Sequence, residues 1–286
     1  MIYILCSIAF NALLFVILKW FARFEINTLQ ALVANYITAA FIGFLFCNDT
    51  FEFSEIPQKP WYWGSFALGF LFISVFYVTA LASQRNGLSV TSVASKMSVV
   101  LPITFGVILY NEELGFMKII GILLALVAVY FTSKKEEGSL SGNKDLILPL
   151  LVFVGAGAID TSLKFMQNFY VPIDEIAVFS SHTFFMAFCI GTLLIIFNVI
   201  KYKRAVKFKN IIGGIALGIP NYFSLFFIIR MLNHPTLDSS TIFTIHNVAI
   251  VIVTTLLGIL IFKEKLRLKN AIGILLAIIA IVLVTI

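Results

Sequence analysis

Stretches of about 20 consecutive apolar residues, the length an α-helix needs to cross roughly 30 Å of hydrocarbon, recur from one end of this chain to the other. Nothing else in the sequence restricts the fold as strongly. In lipid, backbone polar groups must be satisfied internally, so each run is read as a helix. Composition agrees: 60% of residues are hydrophobic and 12% charged, about half the charge of a soluble domain. The runs predict ten transmembrane helices, at 2–20, 28–47, 62–83, 89–110, 116–132, 145–165, 175–199, 210–231, 239–262 and 268–286. The expected fold class is therefore an all-α membrane protein. The first run lacks a basic flank and a small-residue cleavage site, so it reads as a retained helix. Cys6, Cys47 and Cys189 lie inside apolar runs and read as small core residues, not as a disulfide or metal set. No soluble surface is left to bind nucleic acid; the partner implied by the net charge of +6 is the lipid bilayer.

Basic residues set the orientation. Fifteen Lys and Arg fall in or beside odd-numbered connections, for example "KYKRAVKFKN", and four beside even-numbered ones (Lys59, Lys118, Lys164, Arg230). The bias predicts cytoplasmic odd connections, external termini and an inner (plasma) membrane location.

The chain also repeats itself. "NEELGFMKIIGILLALVAV" at 111–129 matches "KEKLRLKNAIGILLAIIAI" at 263–281 with an offset of 152 (264 minus 112), aligning Glu112 with Glu264. "ALG" at 67–69 recurs at 216–218, and "LKW" at 18–20 is echoed by "LKF" at 163–165. The expected units are 1–137 and 138–286, five helices each, integrated into one transmembrane domain. An odd count makes the second unit enter the membrane in the opposite sense, a 5+5 inverted repeat of the kind that underlies alternating access.

Ten helices, this repeat, and a glutamate closing the fourth and ninth helices ahead of a Gly-containing helix resemble the drug/metabolite transporter superfamily, in its EamA-like branch. The resemblance extends over essentially the whole chain. It implies a central cavity walled by helices 1, 3, 4, 6, 8 and 9, with 5 and 10 peripheral. The family commonly has a proline midway along helices 4 and 9; Pro102 fits, and Thr254 stands in the matching place.

Within the fourth helix, "SVASKMSVV" holds Lys96 with no acid nearby in sequence. A lysine at a helix centre costs about 2.5–3.5 kcal/mol on insertion scales, so such groups face protein or a water-filled cavity. Ser89, Ser92, Ser95 and Ser98 recur beside it. Lys96 and Ser95 are accordingly expected at a substrate cavity; a snorkelling lysine or a static ion pair would meet the same physical requirement. His246 and Asn247 lie at the corresponding depth of helix 9, since 247 minus 152 is 95. Asn221 and Tyr222 beside Pro220, Tyr77 in helix 3 and Asn11 in helix 1 complete the expected substrate-binding set. Asp160 and His246 are candidates for proton coupling. Asp160 precedes Lys164 by four residues, which allows a local ion pair, while its other reading is as a partner of Lys96. His182 reads as structural, and Glu112 and Glu264 as helix-end caps or intersubunit ion pairs.

No P-loop, H-E-x-x-H or G-x-S-x-G occurs, so no catalytic residue, metal or cofactor is expected. The leading reading is a secondary transporter for a small metabolite or amphipathic compound, with an anionic group suggested by Lys96. The alternative is an intramembrane enzyme or lipid-handling subunit. Oligomeric state is open, a homodimer included.

Overall fold

The computed structural model describes residues 2–47, 53–110, 115–133, 144–203, 205–232 and 239–285. The helices are α1 (Ile2–Arg23), α2 (Thr28–Leu45), α3 (Tyr62–Arg85), α4 (Leu88–Met97), α5 (Val100–Tyr110), α6 (Phe116–Ser133), α7 (Lys144–Phe169), α8 (Ile176–Tyr202), α9 (Phe208–Leu232), α10 (Ser239–Phe262) and α11 (Leu268–Thr285), with two short 3-10 segments before α3 and α8. Among the described residues nine spans are long and apolar enough to cross a membrane, and Leu268–Val284 is a shorter tenth. The chain is a multi-pass, all-helical membrane protein.

One expectation needs correcting. The fourth span, expected as a single helix over 89–110, is two helices, α4 and α5, parted at Ser98 and Val99. The cause is Pro102, which has no N–H and whose ring would collide with the carbonyl four residues earlier, that of Ser98. The chain answers with a tighter turn: Leu101 N–H donates to the Ser98 carbonyl at 2.9 Å. The break comes immediately after Lys96.

The halves pack alike. α1 lies on α9 and α10 as α7 lies on α3 and α4; α2 meets α9 as α8 meets α3. The α2–α8 and α6–α11 contacts each map onto themselves when the first five spans are exchanged with the last five. The α6–α11 crossing has atomic detail. A Cβ at Gly121 would lie 2.9 Å from Val284 N and 3.1 Å from Ala280 O, and one at Gly273 would lie 2.7 Å from Thr132 N and 3.1 Å from Ala128 O. Both partner pairs (284 and 132, 280 and 128) differ by 152, the offset of the sequence match. Between membrane helices small residues permit such close backbone approach. Gly121→Ala and Gly273→Ala should each destabilise the chain by about 1–3 kcal/mol, the usual cost of forcing atoms into a filled contact. The two losses should be alike. Unfolding of the variants in detergent checks this, and a neutral result at one glycine would break the symmetry.

Away from the odd-numbered connections, the halves are latched at the ends of α3 and α8. Trp61 Nε1 donates to Glu175 Oε2 at 2.6 Å, Lys59 Nζ to Glu175 Oε1 at 2.9 Å, and His182 Nδ1 meets Ser65 Oγ at 2.8 Å. His182 packs against the rings of Trp61 and Tyr62, in the structural role expected of it. The bond to Glu175 raises the Lys59 ammonium above its ordinary 10.5; desolvation slightly opposes this and Glu55 adds to it. A group raised on folding stabilises fully below its unfolded value and loses that contribution as pH climbs through the folded one. The Lys59 part of the latch is thus intact at neutral pH and lost only in strong alkali.

Candidate functional site

Three polar residues from three spans gather around the break in the fourth. Lys96, half-buried on the last turn of α4, and Asp160 on α7 act on each other electrostatically. Asp160 also lies close to Ser98, the residue at the break. His246 on α10 is within electrostatic reach of Lys96. Asp160 therefore points inward between α4 and α7, yet its side chain is exposed. A carboxylate within a span is expected to face protein or water and not lipid. No ion pair within 4.0 Å joins it to Lys96 among the described residues, so the two charges act on each other without direct contact.

The acid that Lys96 lacks in sequence is thus supplied by another helix. The local Asp160–Lys164 reading is not the one that explains where Asp160 faces. Ser98 Oγ donates to the Ser95 carbonyl at 2.6 Å, bracing the helix end from inside. Ser95 itself is half-buried beside Lys96.

The hydrogen bonds of His246 define its tautomer. Ser7 Oγ donates to the Ser224 carbonyl at 2.8 Å and lies 2.9 Å from His246 Nε2. One hydroxyl has one proton, so Nε2 must be the donor to Ser7. Nδ1 is then a bare acceptor, and it is buried without a hydrogen-bond partner. A buried acceptor left open near Lys96 suits an O–H or N–H of a solute or a water. Asn247 adjoins it, buried. Of the two proton-coupling candidates, Asp160 is exposed and His246 is 5% exposed.

The remaining expected site residues are used differently. Asn221 Nδ2 donates to Asn35 Oδ1 at 3.1 Å inside the α2–α9 contact. The Tyr222 ring belongs to an aromatic cluster with Phe46, Phe223 and Phe226. Tyr77 lines a separate cleft of about 300 Å³ with Asn27, Gln30 and Asn198. Asn11 sits half-buried on α1, one turn from Ser7. The ninth span, α10, has no break to match the one in the fourth: the hydroxyl of Thr254, in the place of Pro102, lies 2.6 Å from the Ile250 carbonyl and 2.7 Å from Ser92 Oγ.

Sequence reasoning undervalued Glu264. Its carboxylate receives Leu88 N–H at 2.7 Å and Ser89 Oγ–H at 3.1 Å, and Lys19 Nζ bonds the same carboxylate. It caps, as expected, but the helix it caps is α4, in the opposite half, and its ion pair is within the chain and not between subunits. The space is made by glycines: a Cβ at Gly87 would fall 2.9 Å, and one at Gly258 2.6 Å, from the Glu264 carboxylate oxygens. Gly87 also has φ +103°, a conformation side chains disfavour. The clamp fixes the first turn of the helix whose last turn bears Lys96. Its match with Glu112 was the available signal; Glu112 lies outside the described residues.

Residues 1–134 match the EamA-like transporter family. An uncharacterized protein of Haemophilus influenzae is 28% identical over 284 residues, 97% of this chain and 94% of the relative. A solved crystal structure of a protein superposes with a TM-score of 0.54 over 98% of both chains at 14% identity, a likeness of fold alone.

Proposed function

We propose that this chain, whose residues 1–134 belong to the EamA-like transporter family, carries a small metabolite across the membrane by alternating access, with its solute bound at Lys96, Asp160 and His246. The match of residues 1–134 to the EamA-like transporter family supports reading the chain as a membrane transporter of small molecules; solute and mechanism go beyond that match. The observation that carries it is the exposed, inward Asp160 facing Lys96 where the fourth span breaks. Discontinuous helices whose freed backbone and charged side chains meet a solute near mid-membrane are the recurring device of secondary transporters. Lys96 would hold an anionic group of the solute, Asp160 a cationic one or a coupling proton, and His246 Nδ1 a donor. The two halves, hinged at the α2–α8 and α6–α11 contacts, would open the site to each side in turn.

The purified chain in liposomes, offered a panel of radiolabelled metabolites bearing carboxylates, should accumulate at least one of them chemically unchanged. Conversion of a substrate without uptake would support the intramembrane-enzyme reading and sink this one. The loop charges further support external termini in a plasma or inner membrane. A C-terminal reporter that is active only outside the cytoplasm would agree, and one active only in the cytoplasm would reverse the orientation.

A further inference from the structure

A second cavity, of about 360 Å³, lies at the ends of α3 and α6 and the starts of α4 and α11. Lys19, Arg85, Lys265 and Arg267 line it, and Glu264 is the one carboxylate among the described lining residues. That carboxylate already serves Lys19 and the first turn of α4. The side chains of Arg85 and Lys265 are exposed, and among the described residues the lining carries more positive charge than negative. Ser133, also in the lining, is 4% exposed, and its hydroxyl has no hydrogen-bond partner. A buried hydroxyl without a partner marks a place where a further acceptor or donor belongs. Val90, Leu266 and Ile274 give the cavity an apolar side.

We infer that this cavity binds a phosphate-bearing anion, held by Arg85 and Lys265 with a hydrogen bond from Ser133. Arginine and lysine beside a hydroxyl donor are the usual equipment for phosphate. The same chemistry could come from an anionic lipid headgroup or from free phosphate. The level of the cavity, at the ends of spans, is where headgroups lie, and its apolar side suits the glycerol and upper chain. The site is distinct from the Lys96 cluster and does not depend on what solute is carried.

Thermal unfolding of the full chain in a neutral detergent tests it, with dioleoyl phosphatidylglycerol, dioleoyl phosphatidylcholine or inorganic phosphate added. Phosphatidylglycerol should raise Tm and phosphatidylcholine much less. The Arg85→Gln/Lys265→Gln variant should lose the rise, Ser133→Ala should need several-fold more lipid, and Lys201→Gln/Lys203→Gln, exposed and outside the cavity, should respond as the parent does. A rise with inorganic phosphate that the lipid cannot increase, again lost in the first variant, would assign the site to a free anion. Equal stabilisation by phosphatidylcholine, an undiminished response in both cavity variants, an equal loss in the Lys201/Lys203 variant, or no response to either phosphate source would overturn the inference.

Discussion

Replacing Glu264 with alanine should destabilise the chain by about 3 kcal/mol, the lower end of what removing one partner of a buried ion pair costs. Three interactions go together. Lys19, with a side chain 17% exposed, loses its counter-charge. The first N–H groups of α4 lose their acceptor, and the positive end of that helix loses an anion that complements it. Nothing nearby can substitute, because Gly87 and Gly258 have no side chains to offer. Glu264→Gln keeps an oxygen for Leu88 N–H but leaves Lys19 unpaired, so its loss should fall between parent and alanine. Unfolding of the three proteins in detergent decides the order. An alanine variant as stable as the parent would mean that the clamp contributes nothing. Because Lys96 lies in the last turn of α4, both variants should also weaken solute binding, with the alanine variant weaker.

Lys96→Met should have the opposite emphasis: solute lost, with stability changed less than by Glu264→Ala because Asp160, which loses its counter-charge, is exposed. Methionine is about as long, and it removes the cost of holding a cation inside the membrane. A hydrogen bond to a charged group is worth about 1.5–3 kcal/mol, so solute affinity should fall roughly ten- to a hundredfold. Lys96→Arg keeps the charge in a planar fork and should recover part of it. Solute titration of detergent-purified variants measures this. Unchanged affinity in the methionine variant would remove Lys96 from the site and leave it as a charge compensated by Asp160. That outcome is distinguishable from misfolding because the clamp at Glu264 is untouched.

How much of this could be read beforehand depended on distance along the chain. Spans come from local hydropathy, and the structure keeps all ten. The repeat is also local, a string of residues matched at one offset, and the same offset relates the partners of Gly121 and Gly273. The break after Lys96 was legible in principle, since Pro102 forbids the bond to Ser98, but hydropathy runs through it unbroken. Asp160 could be named as a charge within a span; that it faces Lys96 depends on how α7 lies against α4, which no local pattern records. The Leu88–Glu264 bond joins residues 176 apart, so the glutamate could be read as a cap without its helix being known. Asn221 and Tyr222 show the same dependence on packing. Polar residues beside a proline suit a cavity wall, but packing turned one toward Asn35 and the other into an aromatic cluster.

The central claim is that Asp160 borders a space which opens to each side of the membrane in turn and which the solute fills. Cysteine at position 156, one turn before Asp160 on the same face of α7, in a chain with Cys6, Cys47 and Cys189 replaced by alanine, tests this directly with a membrane-impermeant thiol reagent applied from one side and then the other. The expected result is labelling from both sides, slowed by the transported solute, with Glu264→Ala shifting the balance between sides. Labelling only by a lipid-permeant reagent, or labelling that the solute does not slow, would contradict the account.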